Sequence, residues 1–368
     1  QIRELRFERQ RGVLSPVHRS RERLHLRIDR VQLGVRCPDP AVGGAVLLNA
    51  TGAPAHLHHL RDLAASRGQR LEGGGLFTSR DTVGIAATEA EIYAALGLPW
   101  IPPEIRDGDE EVRRAQNGSL ASLVGRADMR GDLHMHTEYS DGRDTVAAMV
   151  DAAVALGYEY MAITDHSPHS AASRSLSAES VTRQSDEIAG LRERYPQMAI
   201  LQGCEVDILA DGRLDFSDRI LERFDIVLAS LHEGLGHSPA QLLKRYVAAV
   251  RHPLINVVTH PSNRLVAHRV GYEIDYDQLF AESIATGTAL EVDGAPMHLD
   301  LDGALARRAV AAGVTLVIDS DAHRADMLGR QMQLGLTTAR RGWVEARDVL
   351  NTRSLAEVRA FVAAKRSR

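Results

Sequence analysis

The stretch GDLHMHTEYSDG, residues 131–142, sets two histidines two residues apart and an aspartate five residues after the second. In an extended strand, side chains at i and i+2 point to the same side. His134 and His136 therefore aim two imidazoles at one point. An isolated His-x-His is as readily an exposed polar strand face as a ligand pair, so the rest of the chain has to decide.

Downstream of this stretch, short apolar runs recur at 160–164, 199–203, 225–229, 255–259, 289–292 and 315–318. Segments with helical spacing, such as 145–156, 177–195 and 239–250, lie between them. Alternating strands and helices predict a parallel α/β layout. With the strand at Gly131 there are seven strands, compatible with a distorted TIM-like barrel one unit short of the eightfold pattern. In such barrels the active site sits at the C-terminal strand ends. The first strand carries His134 and His136, with Asp141 in its loop. Later runs end in Thr164-Asp165-His166, Gly203-Cys204-Glu205, Ser230-Leu231-His232, Thr259-His260-Pro261 and Asp319-Ser320-Asp321-Ala322-His323.

A single histidine at a strand end is usually just a hydrogen-bonded polar residue. Six histidines and three carboxylates on one rim would be badly desolvated or mutually repelling without cations between them. The expectation is a metal cluster of His134, His136, Asp141, His166, Glu205, His232, His260, Asp321 and His323. Imidazole plus carboxylate suits Zn²⁺, Mn²⁺ or Fe²⁺ better than Ca²⁺ or Mg²⁺. Cys204 precedes Glu205 and should face the opposite way, into core packing.

Composition sets the outer limits. The chain has 368 residues, 44% hydrophobic but only 4% aromatic, so the core is Ala, Leu and Val. A net charge of −5 argues against an all-over basic coat but allows a local basic groove. Only Lys244 and Lys365 are lysines, which leaves almost no candidate for Schiff-base chemistry. Two distant cysteines, Cys37 and Cys204, form no disulfide framework and no zinc-finger spacing. No apolar run reaches a membrane span and the start reads as no signal peptide, so a reducing cytoplasm is expected.

The front of the chain has a different texture. Alternation at 24–29 suggests a strand, 45–48 reads as a short apolar strand, and 53–67 has helical periodicity. Thr88 followed by Glu91 is a capping box for a helix over 88–96, stopped by Gly97 and Pro99. Pro102-Pro103 and the acidic run 107–111 place a linker at 106–127.

Taken together, HMH…SDG, TDH, the Glu after the third strand, ASLH, THP and DSDAH resemble the PHP (polymerase and histidinol phosphatase) family of trinuclear metal phosphoesterases. The resemblance covers residues 130–368, within a PHP domain expected over 128–368. The segments 259–265 (THPSNRL), 296–301 (PMHLDL), 338–343 (TARRGW) and 349–352 (VLNT) are most similar to the C-terminal domain of bacterial family X DNA polymerases. An Arg usual in that subgroup is His298 here. The resemblance implies one metal on His134, His136, Glu205 and Asp321. A second would share bridging Glu205 with His232 and His260, and a third would take Asp141, His166 and His323.

Residues 45–105 resemble the polymerase thumb, notably at 44–56 and 96–106, and residues 1–44 a partial palm. In that family a Tyr-Phe pair packs against the incoming sugar; Asn49 and Ala50 stand there. The third palm carboxylate falls at Gln32, an amide that cannot supply anionic charge for two-metal nucleotidyl transfer. Asp29 is three residues off and would face the other side of a strand. The first two palm carboxylates and the lyase domain have no counterpart in this chain, and polymerase activity is expected to be absent.

The expected function is a metal-dependent phosphoesterase. By resemblance its substrate is the 3′ end of DNA, attacked as a 3′→5′ exonuclease with possible 3′-phosphate removal. Glu205, His134 and Asp321 are expected to carry the reaction. Arg264 is the candidate phosphate clamp, because an Arg fork matches phosphate geometry; a solvated loop Arg is its plainer reading. Asp165 is read as an acceptor that orients His166, and His298 as a surface loop residue, with a pocket acid as its alternative. The alternatives are a phosphomonoesterase of the histidinol-phosphatase type acting on a small substrate, and a non-catalytic DNA-end or partner-binding module.

Overall fold

A computed structural model describes residues 14–20, 23–28, 31–78, 84–170, 174–234 and 236–367. The chain divides into two compact units, Gln1–Leu120 and Ala121–Arg368.

The second unit is built on seven parallel strands in chain order: β1 (Gly131–Asp132), β2 (Tyr160–Ile163), β3 (Ala199–Asp207), β4 (Ile226–Ser230), β5 (Val257–Val258), β6 (Ala289–Asp293) and β7 (Leu316–Asp319). Each pairs in parallel with its sequence neighbour. Period-2 alternation sorts the side chains. Tyr160, Ala162, Leu201, Ile226, Leu228, Val257, Ala289 and Val317 pack with Leu350, Val358 and Val362 into one buried cluster. Val358 and Val362 come from the helix Leu355–Arg366. Their neighbours Met161, Ile163, Cys204, Val227, Ala229, Val258, Leu290, Ile318 and others pack instead with the helices Val146–Ala155, Ala178–Arg194 and Pro239–Arg251. Cys204 is thus core, as its position beside Glu205 implies.

With seven strands the sheet closes imperfectly between β1 and β7. At the mouth, Met135 and Ala322 form a parallel bridge. The His136 amide donates to the Ala322 carbonyl (2.9 Å) and the Asp321 amide to the His134 carbonyl (3.0 Å). At the base, one side chain fills the gap. Asn351 Nδ2 donates to the Gly131 carbonyl of β1 (3.0 Å) and the Ile318 carbonyl of β7 (2.6 Å), while its Oδ1 accepts from the Ile318 amide (3.1 Å). Val349 bridges Leu316 in parallel, and the Asn351 carbonyl accepts from the Arg130 amide. Val349 and the Asn351 side chain thus stand in for strand pairing at the base of the seam, just where the chain enters the 3-10 turn Leu350–Thr352.

In the first unit, a three-stranded antiparallel sheet (Leu14–Arg19, Arg23–Ile28, Val31–Arg36) buries Leu24 and Leu26. Gln32 is exposed on its third strand. Asp29 and residues 1–13 of the arginine-rich start lie outside the described residues. Pro54–Ser66 is helical, and Thr88 caps Glu89–Ala95 through a reciprocal pair with Glu91 (3.2 and 3.1 Å).

Two expectations are corrected. Residues 45–48 belong to the helix Gly43–Thr51, not a strand. Ala45 and Leu48 are buried three residues apart while Leu47 is half exposed; four apolar residues in a row do not carry a readable period. The stretch read as linker contains the helix Glu111–Gln116. Its Glu111 is fully buried and accepts from His56 Nδ1 (2.6 Å) and the Gly108 amide (2.9 Å). His56 Nε2 in turn faces the Tyr93 hydroxyl (2.8 Å). One acid of the charge run is therefore a core acceptor, not a solvated residue.

Asn351→Ala removes both the donor and the acceptor that bind β1 to β7 at the base. It is expected to destabilise the second unit by about 3 kcal/mol, since several buried partners are left unpaired. Urea unfolding checks this, and an unchanged midpoint contradicts the closure role.

Candidate metal centre

The strand ends of the second unit bring all nine of the expected ligands to one mouth. Met135, between the two histidines of β1's extension, packs among the helices, while His134 and His136 are fully buried. Their Nε2 atoms lie 3.1 Å apart. Glu205 Oε2 is 3.5 Å from each, and Asp321 Oδ1 is 3.5 and 3.0 Å from them. A tetrahedral ion with bonds of about 2.1 Å has ligand–ligand edges of about 3.4 Å. Nitrogen and oxygen atoms converging at that spacing match the edges of such a shell.

Glu205 turns its two oxygens to different groups. Oε2 faces His134, His136 and His166 Nδ1 (2.8 Å); Oε1 faces His260 Nε2 (2.9 Å) and His232 Nε2 (3.5 Å). This is the arrangement of a bridging carboxylate. A third group forms where Asp141 Oδ1 meets His323 Nε2 (3.2 Å) and His166 Nε2 (3.4 Å). His166 thus stands between two groups, one ring nitrogen toward each. Ligand atoms of His136, Asp141, His166 and His323, and likewise of His166, Glu205 and His232, gather within the reach of one ion.

The donors fit divalent cations on two counts. Asp141 Oδ1, His166 Nδ1 and Glu205 Oε2 are buried and, though crowded by one another and by other ring nitrogens, make no well-directed hydrogen bond, which is costly unless something else satisfies them. Second, the tautomers are fixed for ligation. His134 Nδ1 sits 2.7 Å from Glu291 Oε1, His232 Nδ1 is 3.0 Å from Asp207, and His323 Nδ1 faces the Asp321 carbonyl (3.0 Å). Each acceptor holds a proton on Nδ1 and leaves Nε2 to the cluster.

Electrostatics give the same picture. Burial pushes the Glu205 carboxyl up, but the imidazoles of His166, His232 and His134 outweigh it and hold it well below the usual range. Burial opposes ionisation of Asp321 too, yet His134 and His323 hold it well below the usual range. Burial, with His166 and His323 alongside, pushes His136 down to about 3. Without an ion, Glu205 and Asp207 carry His232 up to about 9 against the pull of burial, so a cation would displace the Nε2 proton on binding. The carboxylates are held in the anionic form a cation needs. His260 and Asp321 sit at φ of 28° and 49°, a left-handed conformation that costs non-glycine residues on the order of 1 kcal/mol.

Three readings change. Arg264 does not reach the cluster: its Nε donates to the His298 carbonyl (2.8 Å), Nη2 donates to the Leu299 carbonyl, and Asp302 lies 3.6 Å away. The fork that would clamp phosphate already ties two loops together. Asp165 accepts from the Thr137 amide (2.8 Å), the Thr137 and Ser140 hydroxyls and Gln184 Nε2 (2.7 Å), so it fixes the 136–141 loop and not His166. His298 is half-buried at the cavity, which fits the pocket role and not the free loop residue. Its ring stacks on His260 (centroids 4.9 Å, 17°) and lines the same cavity, about 260 Å³, as Asp141, Glu205 and His323.

The sequence reading missed Glu291. It binds both His134 Nδ1 and the His260 amide (2.7 Å). The signal was available: β6 alternates Ala289, Glu291, Asp293, and Ala289 faces the inner cluster.

Comparison with known proteins gives these motifs a family. Residues 132–291 match the family model described as PHP domain. The second unit is a PHP domain. Residues 46–107 of the first unit match the model described as DNA polymerase beta thumb. The chain is 41% identical over 313 residues to "DNA polymerase/3'-5' exonuclease PolX" of Bacillus subtilis (strain 168), across 85% of this chain and 54% of that protein. It is 31% identical over 167 residues to a "Probable phosphatase" of Syntrophotalea carbinolica, 44% of this chain and 64% of that one. The chain thus spans about half to two thirds of these relatives. Among solved structures, a histidinol phosphate phosphatase from Lactococcus lactis complexed with Zn, L-histidinol and phosphate is 19% identical, with a TM-score of 0.43 over 58% of this chain and 94% of that chain.

Glu291→Gln keeps an acceptor but removes the charge that orients His134. The affinity of the PHP domain for added Zn²⁺ or Mn²⁺ is expected to fall about tenfold, the lower end of the effect of losing an outer-shell partner. Titration against a chelator with a matched affinity measures it; an unaltered constant contradicts the role given to Glu291.

Proposed function

We propose that the chain is a metal-dependent phosphoesterase that cleaves phosphodiester bonds at DNA 3′ ends, in the 3′→5′ direction. One observation carries this reading: Glu205 presents its two oxygens to two separate groups of imidazoles at the edge of a single open cavity. His134, His136, Glu205 and Asp321 would hold one divalent ion; Glu205, His232 and His260 a second; Asp141, His166 and His323 a third, with Zn²⁺, Mn²⁺ or Fe²⁺ as the candidates. Bound there, such ions supply hydroxide at neutral pH and neutralise charge on a phosphate.

The residues of the chain do the positioning. Glu291 and Asp207 hold imidazole protons on Nδ1, and Asp165 pins the loop that delivers His136 and Asp141. The cavity, at about 260 Å³, suits a terminal phosphate and its sugar, not the middle of a duplex, which favours attack at an end. The thumb match over residues 46–107 and the exonuclease in the printed name of the Bacillus relative support DNA as the substrate. Gln32 offers a neutral amide, and the first unit is proposed to bind DNA without transferring nucleotides. No described helix is long and apolar enough to cross a membrane, and two free cysteines fit a reducing cytoplasm.

A small phosphomonoester is the second reading, because the same cavity would admit one. Incubation with 5′-labelled single-stranded DNA and Mn²⁺ separates the two. The expected result is a ladder of products shortened from the 3′ end, lost on chelation and reduced about 10³-fold in Glu205→Ala. Hydrolysis of a small monoester with intact DNA favours the second reading; full activity in Glu205→Ala moves the site elsewhere.

A further inference from the structure

Beside the three groups already described lies a fourth that they do not use. Asp293 ends β6, is fully buried, and has one oxygen that accepts from the Ala295 amide (2.6 Å). Its other oxygen, Oδ2, has no hydrogen-bond partner. Ligand atoms of Asp293, His298 and Asp321 all lie within 4.8 Å of one another, close to the span of about 4.2 Å between opposite ligands of one ion with bonds of about 2.1 Å. His298 is prepared for ligation in the same way as the rim histidines. Its Nδ1 faces the Arg264 carbonyl (3.1 Å), which can only accept, so the lone pair is on Nε2. Arg264 also donates to the His298 and Leu299 carbonyls, which holds the loop carrying His298 in place.

We propose that Asp293, His298 and Asp321 form a fourth divalent-cation site, beside the rim and sharing Asp321 with it. The site rests on the reading of the rim as a metal centre, because Asp321 belongs to both. The unpartnered oxygen of Asp293 needs a counter-group, and donor atoms of His298 and Asp321 converge with it within the reach of one ion. Two carboxylates and one imidazole make an oxygen-rich shell, which suits Mn²⁺ better than Zn²⁺. Because Asp321 is shared with the rim and His298 is half-buried, the site competes for one of its three ligands, and it binds more weakly than the rim and exchanges its ion more readily.

The test is a Mn²⁺ titration of the whole chain by equilibrium dialysis, with free Mn²⁺ read by electron paramagnetic resonance. Asp293→Asn and His298→Ala are each expected to bind one equivalent fewer than the wild type, the missing equivalent being the weakest. If the wild type binds Mn²⁺ and both variants bind the same number, Asp293 carries a proton instead and this site is overturned while the rim stands. If the wild type binds no divalent ion under any loading, the metal reading of the rim falls with it. Should Asp293→Asn lose its native circular dichroism, His298→Ala, at a half-buried position, decides alone.

Discussion

Everything at the mouth depends on how the seven strands close. His134 and His136 come from the first strand, Asp321 and His323 from beyond the last, and these ends are neighbours only because the sheet has curled back on itself. Two parallel amide bonds, His136 to Ala322 and Asp321 to His134, hold them in register at the top. The Asn351 side chain completes the same seam below, where strand pairing has run out. A slip of one residue along this seam would turn the alternating side chains to the wrong face, and the tetrahedral spacing of four donors would be lost.

Closure has an electrostatic consequence. It drives Asp141, Glu205, Glu291, Asp293, Asp319 and Asp321 into one interior with six imidazoles, all nearly dry except Asp141, His232 and His323 toward the opening. Burial of this kind opposes folding unless charges are matched. Part of the match is internal, as in the pairs Glu291–His134 and Asp207–His232. The orphaned oxygens and nitrogens are the unmatched part, and divalent ions would supply it. Metal binding is then coupled to stability as well as to chemistry, because ions that bind only the folded chain favour it.

Much of this was legible beforehand. Six apolar runs at parallel-barrel spacing, with the strand at Gly131, gave the architecture, and residues at or just after six of these seven strands gave the nine expected donors. Two-residue alternation separated Cys204 from Glu205 without a structure. The failures have definite causes. Residues 45–48 were too few to show a period, so a helix passed for a strand. Glu111 looked like one charge in an acidic run, and only the fold reveals the His56 side chain 55 residues earlier that makes it a core acceptor. Arg264 had the right chemistry for phosphate, but its fork is spent on two backbone carbonyls. Glu291, inside the sixth strand, and His298, in the loop after it, read as ordinary polar sequence until their neighbours are known. The Asn351 wedge was visible only as part of a family-like motif, since nothing local in the sequence says that a barrel one strand short needs a filler.

The central claim is that the barrel mouth is a multinuclear metal centre bridged by Glu205. Anomalous X-ray scattering from crystals grown with Mn²⁺ or Zn²⁺, collected on either side of the absorption edge, tests it most directly. The account predicts separate metal peaks among the nine side chains, two of them flanking the Glu205 carboxylate. A well-ordered barrel with those side chains in place and no anomalous peak among them would contradict it.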